Sequence, residues 1–206
     1  MDRYTKIILV GAALAAFLLP TSAQTAQTTA QTEPETAQQI NQRKDNQQGR
    51  IGNGVGSGQL TAGEAANLEN KESEVNQEEH DMRKLDDGHL TNADRATLQQ
   101  QQNQLSQQIY QDKHNAAVQN APPKGEVGER SDNQQDRIAQ GVKSGQLTSS
   151  EAANLEHKEA GINGEIHNDR AANGGKLTPQ ERAKINHQQN KLSRQIYADK
   201  HNGRKQ

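Results

Sequence analysis

The sequence predicts an all-α protein, built as two tandem three-helix repeats: a short helix, then a long antiparallel helical hairpin. Three observations predict it. A corner of the form Gly-x-Leu-Thr-x-x-Glu/Asp occurs four times. Between the corners, apolar residues recur at helical spacing on one face. The chain also aligns with itself without a gap, so the pattern reads as an internal duplication.

The corners come first because they fix where helices stop and start. They are Gly58-Gln-Leu60-Thr61-Ala-Gly-Glu64, Gly88-His-Leu90-Thr91-Asn-Ala-Asp94, Gly145-Gln-Leu147-Thr148-Ser-Ser-Glu151 and Gly175-Lys-Leu177-Thr178-Pro-Gln-Glu181. Glycine ends a helix at little steric cost in a left-handed conformation. Thr is a good N-cap, because its hydroxyl oxygen accepts from an orphaned backbone N–H. An acidic residue three positions later completes a capping box and complements the positive end of the helix dipole. The intervening Leu is placed to staple the turn onto the helices. Pro179 falls in a first turn, where no N–H is needed.

The duplication sets the layout. Asp45-Asn-Gln-Gln matches Asp132-Asn-Gln-Gln, and Glu64-Ala-Ala-Asn-Leu-Glu69 matches Glu151-Ala-Ala-Asn-Leu-Glu156. Ile109-Tyr110 and Asp112-Lys-His-Asn115 match Ile196-Tyr197 and Asp199-Lys-His-Asn202. Repeat 1 is expected over 45–115 and repeat 2 over 132–202, with a Pro/Gly linker at 116–131 and a tail at 203–206.

In each repeat the first helix is predicted to be short, Asp45 to Val55 and Asp132 to Val142. Ile51 with Val55, and Ile138 with Val142, form its apolar edge. The second is expected from Ala62 to Leu85 and from Ser149 to Ala172. Its stripe is Leu68, Val75 and Met82 in one repeat, and Leu155, Ile162 and Ile166 in the other. The third is expected from Asn92 to His114 and from Pro179 to His201. Leu98, Leu105 and Ile109 line one seam; Ile185, Leu192 and Ile196 line its match. Gln101, Gln102, Gln188 and Gln189 interrupt these seams, so a lone repeat is expected to be marginal.

Residues 1–23 read as an export signal. Arg3 and Lys6 precede an apolar run from Ile7 to Leu19, which is short for a membrane span. Small residues up to Ala23 suit cleavage. The location implied is the periplasm or the exterior. Residues 24–44, rich in Gln, Thr and Ala, read as a disordered leader without an apolar face.

Composition narrows the function classes. Only 29% of the 206 residues are hydrophobic, and 2% are aromatic. The formal net charge of -2 gives no electrostatic reason to expect nucleic acid or an anionic membrane as partner. Cysteine is absent, which removes disulfides, thiolate metal sites and cysteine nucleophiles together. Ser106 and Ser193 sit in helix seams rather than on strand-to-helix elbows. His80 and His167 match one another, as do His114 and His201, but none belongs to a helical His-x-x-x-His pair. No catalytic residue, cofactor or metal ligand set is assigned.

Two resemblances bear on function. The Gly, the Leu two positions on and the acidic residue six positions on are similar to the exit half of an EF-hand loop. The entry half differs: Arg83, Leu85 and Asp87 precede Gly88, and Arg170, Ala172 and Gly174 precede Gly175. This resemblance implies a degenerate metal-responsive module. Leu177-Thr178-Pro-Gln-Glu181 and its three relatives also resemble the Leu-Thr-x-x-Gln motif of Spy/CpxP-like periplasmic proteins, with an acid in place of the Gln. That resemblance implies an exported helical chaperone or stress-response protein. The expectation is therefore a non-enzymatic protein that binds a polypeptide partner or protects unfolded chains, alone or as a homo-oligomer. Its contact surface is expected on the edges formed by Leu68, Val75, Met82, Leu155, Ile162 and Ile166. A largely disordered protector of the solute type is the remaining alternative.

Overall fold

Five of the six described helices start behind a threonine. In the computed structural model, which describes residues 34–117 and 125–204, the helices are α1 (Ala37–Gly56), α2 (Ala62–Leu85), α3 (Asn92–His114), α4 (Glu126–Lys143), α5 (Ser149–Ala172) and α6 (Pro179–Lys200). The export signal at 1–23, the leader up to residue 33, residues 118–124 of the linker and residues 205–206 of the tail lie outside the described residues. Among the described residues there is no strand. No described helix is long and apolar enough to cross a membrane.

Each corner is a capping box. Thr61, Thr91, Thr148 and Thr178 accept from the backbone N–H of Glu64, Asp94, Glu151 and Glu181. The acidic side chains in turn accept from the threonine N–H groups, at 2.7–3.1 Å. Gly58 and Gly145 take φ +68° and +65°, and Gly88 and Gly175 both take +89°. At the second corner of each half the chain first turns left-handed one residue earlier, at Asp87 (φ 52°) and Gly174 (φ 61°). There the Gly88 and Gly175 N–H groups reach back to the carbonyls of Arg83 and Arg170, both at 2.7 Å, in a Schellman closure.

Two boundaries differ from expectation. Helix α1 begins at Ala37, so residues 37–44 of the expected leader are helical. A fifth capping box starts it: Thr36 accepts from the Gln39 N–H, and the Gln39 side chain accepts from the Thr36 N–H. Helix α4 begins at Glu126, inside the expected linker, behind Gly125 at φ 100°. These extra turns have something to bury. Ile40 and Val127, one in each extension, are 0% and 5% exposed. Gln102 on α3 donates to the Ile40 carbonyl at 3.1 Å, and Gln189 on α6 donates to the Val127 carbonyl at 2.8 Å.

Of the glutamines that break the seams, Gln102 and Gln189 are thus buried fasteners. Gln47 donates to the Gln102 carbonyl and to Ser106 Oγ, at 2.7 and 2.8 Å. Gln134 makes the same pair of bonds to Gln189 and Ser193 at the same lengths. Ser106 and Ser193 are therefore structural acceptors.

Helices α2 and α3 pack as one hairpin, α5 and α6 as another, each closed by its preceding helix. The halves do not stand apart. Helix α2 packs on α5 and α1 packs on α4, within one compact unit. Matching residues meet each other across this join. Asn70 faces His157 at 3.1 Å, and Gly52 lies against Ala139. A Cβ on Gly52 would come within 3.1 Å of the Ala139 carbonyl and 2.5 Å of the Lys143 side chain, so α1 crosses α4 closely because of that glycine.

This join corrects the expected contact surface. Leu68, Val75, Leu155, Ile162 and Ile166 are buried, and Met82 packs on the cluster of Ile40, Val75, Leu90 and Leu98. The longer α1 and α4 cover the stripes that a shorter first helix would have left open. In the second half the apolar residues form one cluster, from Val127 to Ile196. In the first half they split into a cluster around Ile51, Leu68 and Ile109 and another around Ile40 and Leu98.

Candidate functional site

With the stripes inside, the outer seam between the helices of each hairpin is what faces solvent. It forms two matched grooves. The first, of about 360 Å³, lies between α2 and α3 over Val75 and Leu105. The second, of about 420 Å³, lies between α5 and α6 over Ile162 and Leu192. The floors are apolar and nearly covered, with each of the four residues 2–7% exposed. The rims are polar. Gln101 donates to Glu78, and Gln188 donates to Glu165 at 2.9 Å. Lys71 donates to Gln108, as Lys158 donates to Gln195.

The two grooves have diverged in charge. Lys71 stands against Glu74 and Glu78 in the first. In the second, Gly161 and Lys191 replace Glu74 and Gln104, leaving Lys158 and Lys191 against Glu165 alone. The hydrogen bond from Lys184, at 2.7 Å, then that from Gln188, holds the Glu165 carboxyl below its ordinary range, so it is ionised and already matched. The second groove is left with a positive lining. It is also more open over its floor, because Gly161 has no side chain. Nothing lies within 4 Å of where its Cβ would be. A mid-helix glycine costs about 0.5–1 kcal/mol relative to alanine, and internal packing gives no reason for this one.

A second constellation, of carboxyls on α2 and α5, is buried. Glu69 and Glu72 on α2, with Glu156 and Glu159 on α5, are each 0–1% exposed. Gln48 donates to Glu69 at 3.0 Å, and Gln135 donates to Glu156 at 2.9 Å. Gln48 also reaches Ser149 Oγ across the join at 3.2 Å. Burial pushes the Glu69 carboxyl up to about 8, against the opposing hydrogen bond from Gln48. Burial drives Glu156 well above its ordinary range, and the nearby Glu159 and Glu69 add to the effect. Glu72 and Glu159 are pushed up to about 7, again chiefly by burial; Lys44 opposes the shift at Glu72, and Ser131 and Asn163 oppose it at Glu159.

Glu79 contrasts with these. Burial pushes its carboxyl up, but hydrogen bonds from Lys44 (2.9 Å) and Arg83 (2.8 Å) outweigh it and hold Glu79 below its ordinary range. Its match in the second half is Ile166, and the match of Lys44 is Ser131.

The remaining sequence candidates fall elsewhere. The corner carboxylates of Glu64, Asp94, Glu151 and Glu181 are engaged in caps. His114 and His201 stack on Tyr110 and Tyr197 with ring centroids 4.2 Å apart. Each His Nδ1 lies 2.7 Å from the carbonyl one turn back. Among the described residues, no three His, Asp or Glu side chains gather as a metal site.

Compared with known proteins, the chain matches no family model, no curated protein and no solved structure.

Proposed function

We propose that this is an exported, non-enzymatic helical protein that binds polypeptide, in a chaperone or stress-protective role. Its docking surface is the groove between α5 and α6. The occupant is a segment of another protein carrying an apolar side chain flanked by acidic ones. The observation that supports this reading is the divergence of the two grooves: the second has an apolar floor, a positive lining and a glycine that opens it. The apolar side chain would displace water from over Ile162 and Leu192, and Lys158 and Lys191 would select its flanks by charge. The Leu-Thr corners shared in form with Spy/CpxP-like proteins, and the apolar N-terminal run, agree with export and with such a role.

Gly161→Glu tests it. The change restores the first groove's residue, adds no clash and raises helix propensity. Fluorescence anisotropy with a labelled leucine-glutamate helical peptide should show salt-sensitive binding that is lost in the variant. The leucine-lysine counterpart should bind far less. In parallel, the protein should slow aggregation of a heat-denatured client, and Gly161→Glu should not. Equal binding of both peptides, or an unchanged variant, overturns the reading.

A further inference from the structure

The join between the halves carries more than packing. At it lie the buried carboxyls of Glu69 on α2 and Glu156 on α5, near enough for the Glu69 charge to act on Glu156, and Gln48 reaches Ser149 across it. We propose that the join is a proton-dependent latch: the halves are locked while the buried carboxyls are protonated and part when they ionise.

The geometry argues this through its count of protons. Gln48 and Gln135 spend amide N–H groups on Glu69 and Glu156. Gln47, Gln102, Gln134 and Gln189 spend theirs on carbonyls and hydroxyls inside their own half and bring none to the join. Yet Oε1 of Gln48 and Gln135 accepts no hydrogen bond, nor does Oε1 of Glu69 or Glu156, nor either oxygen of Glu72. The join has acceptors in surplus over donors, even with the Ser149 hydroxyl bonded to Glu69. A protonated carboxyl supplies a donor; an ionised one adds a further buried acceptor and a charge.

The surrounding charges do not relieve this. From α1, Lys44 and Asp45 face Glu72, and Glu79 bears on it from α2 itself. From α4, Asp132 faces Glu159. Glu72 bears on Glu69 within α2, Glu159 bears on Glu156 within α5, and Glu69 bears on Glu156 across the two helices. On α3 and α6 the amides of Gln102 and Gln189 are turned to the carbonyls of Ile40 and Val127. Lys44 is moreover held by Glu79. Apart from Ala139, which α4 adds to a cluster of the first half, each half keeps apolar clusters of its own, so the halves can separate with their helices intact.

The absence of cysteine allows a direct test on the full chain. Ala66 is 0% exposed and lies one turn before Glu69 and Asn70 on the same face of α2. The rate at which 4,4′-dithiodipyridine modifies Ala66→Cys, divided by the rate at the exposed site Gln104→Cys, measures protection independently of thiol ionisation. Protection should fall at least tenfold between pH 5 and pH 8.5 while circular dichroism stays helical. In the Glu69→Gln/Glu156→Gln background, or in Glu72→Gln/Glu159→Gln if the first pair does not fold, the fall should shrink. Constant protection overturns the latch. So does a fall that persists undiminished in the glutamine background, or a loss of helix over the same pH range.

Discussion

Glu69→Gln should stabilise this protein at neutral pH and leave it nearly unchanged in acid. The Glu69 carboxyl is pushed up to about 8 in the folded chain, from an ordinary 4.5. At pH 7 the folded protein therefore holds a proton that the unfolded chain has released. Each pH unit of that difference weighs about 1.4 kcal/mol against folding. Between pH 4.5 and pH 7 the cost reaches about 3 kcal/mol, and it vanishes below the unfolded value. Glutamine has the shape of the protonated acid and supplies a donor, so it keeps the Gln48 bond and removes the proton uptake. Urea denaturation should show a midpoint about 1.5 M higher at pH 7 for the variant, at a slope near 2 kcal/mol/M, and nearly equal midpoints at pH 4.5. Midpoints that run parallel from pH 4.5 to 8 would refute the reasoning.

Other substitutions probe the scaffold, each read by the same denaturation. Gly141→Ala improves helix propensity, but its Cβ would lie 2.6 Å from the buried Leu147 Cδ1. Overpacking of that kind costs about 1–3 kcal/mol, so the variant should lose stability; Gly54→Ala should do the same against Leu60. Asp87→Gly should gain about 1 kcal/mol, because Asp87 occupies the left-handed cap that Gly174 fills in the second half. Thr36→Ala should cost about 1 kcal/mol and fray α1 toward Asp45, seen as faster amide exchange over residues 37–44.

The corners could be read from sequence because their signal is local: a cap, a box partner and a glycine lie within seven residues. The starts of α1 and α4 were hidden. Thr36 pairs with Gln39 rather than an acid, and a single apolar residue, Ile40 or Val127, marks each extra turn. The stripes on α2 and α5 were found, but their direction was not, because periodicity shows that a face is apolar and not what covers it. The buried glutamates were missed since Glu69 and Glu72 sit among other acids. A signal existed: both recur as Glu156 and Glu159, while the nearby Glu74 and Glu79 become Gly161 and Ile166. The divergence of the grooves was equally visible as Gly161 and Lys191, but only packing shows that these positions share a rim.

Asn70 against His157 and Gly52 against Ala139 are encounters of like with like. A chain of half the length would offer the same faces to a twin, and its assembly would rise and fall with dilution. Tethering the partners makes the encounter intramolecular, at an effective concentration on the order of millimolar for a short tether. The pairing then holds however scarce the protein becomes. Each member is also released from having to fit an identical copy of itself, which leaves room for one hairpin to keep a glutamate where the other has opened a glycine.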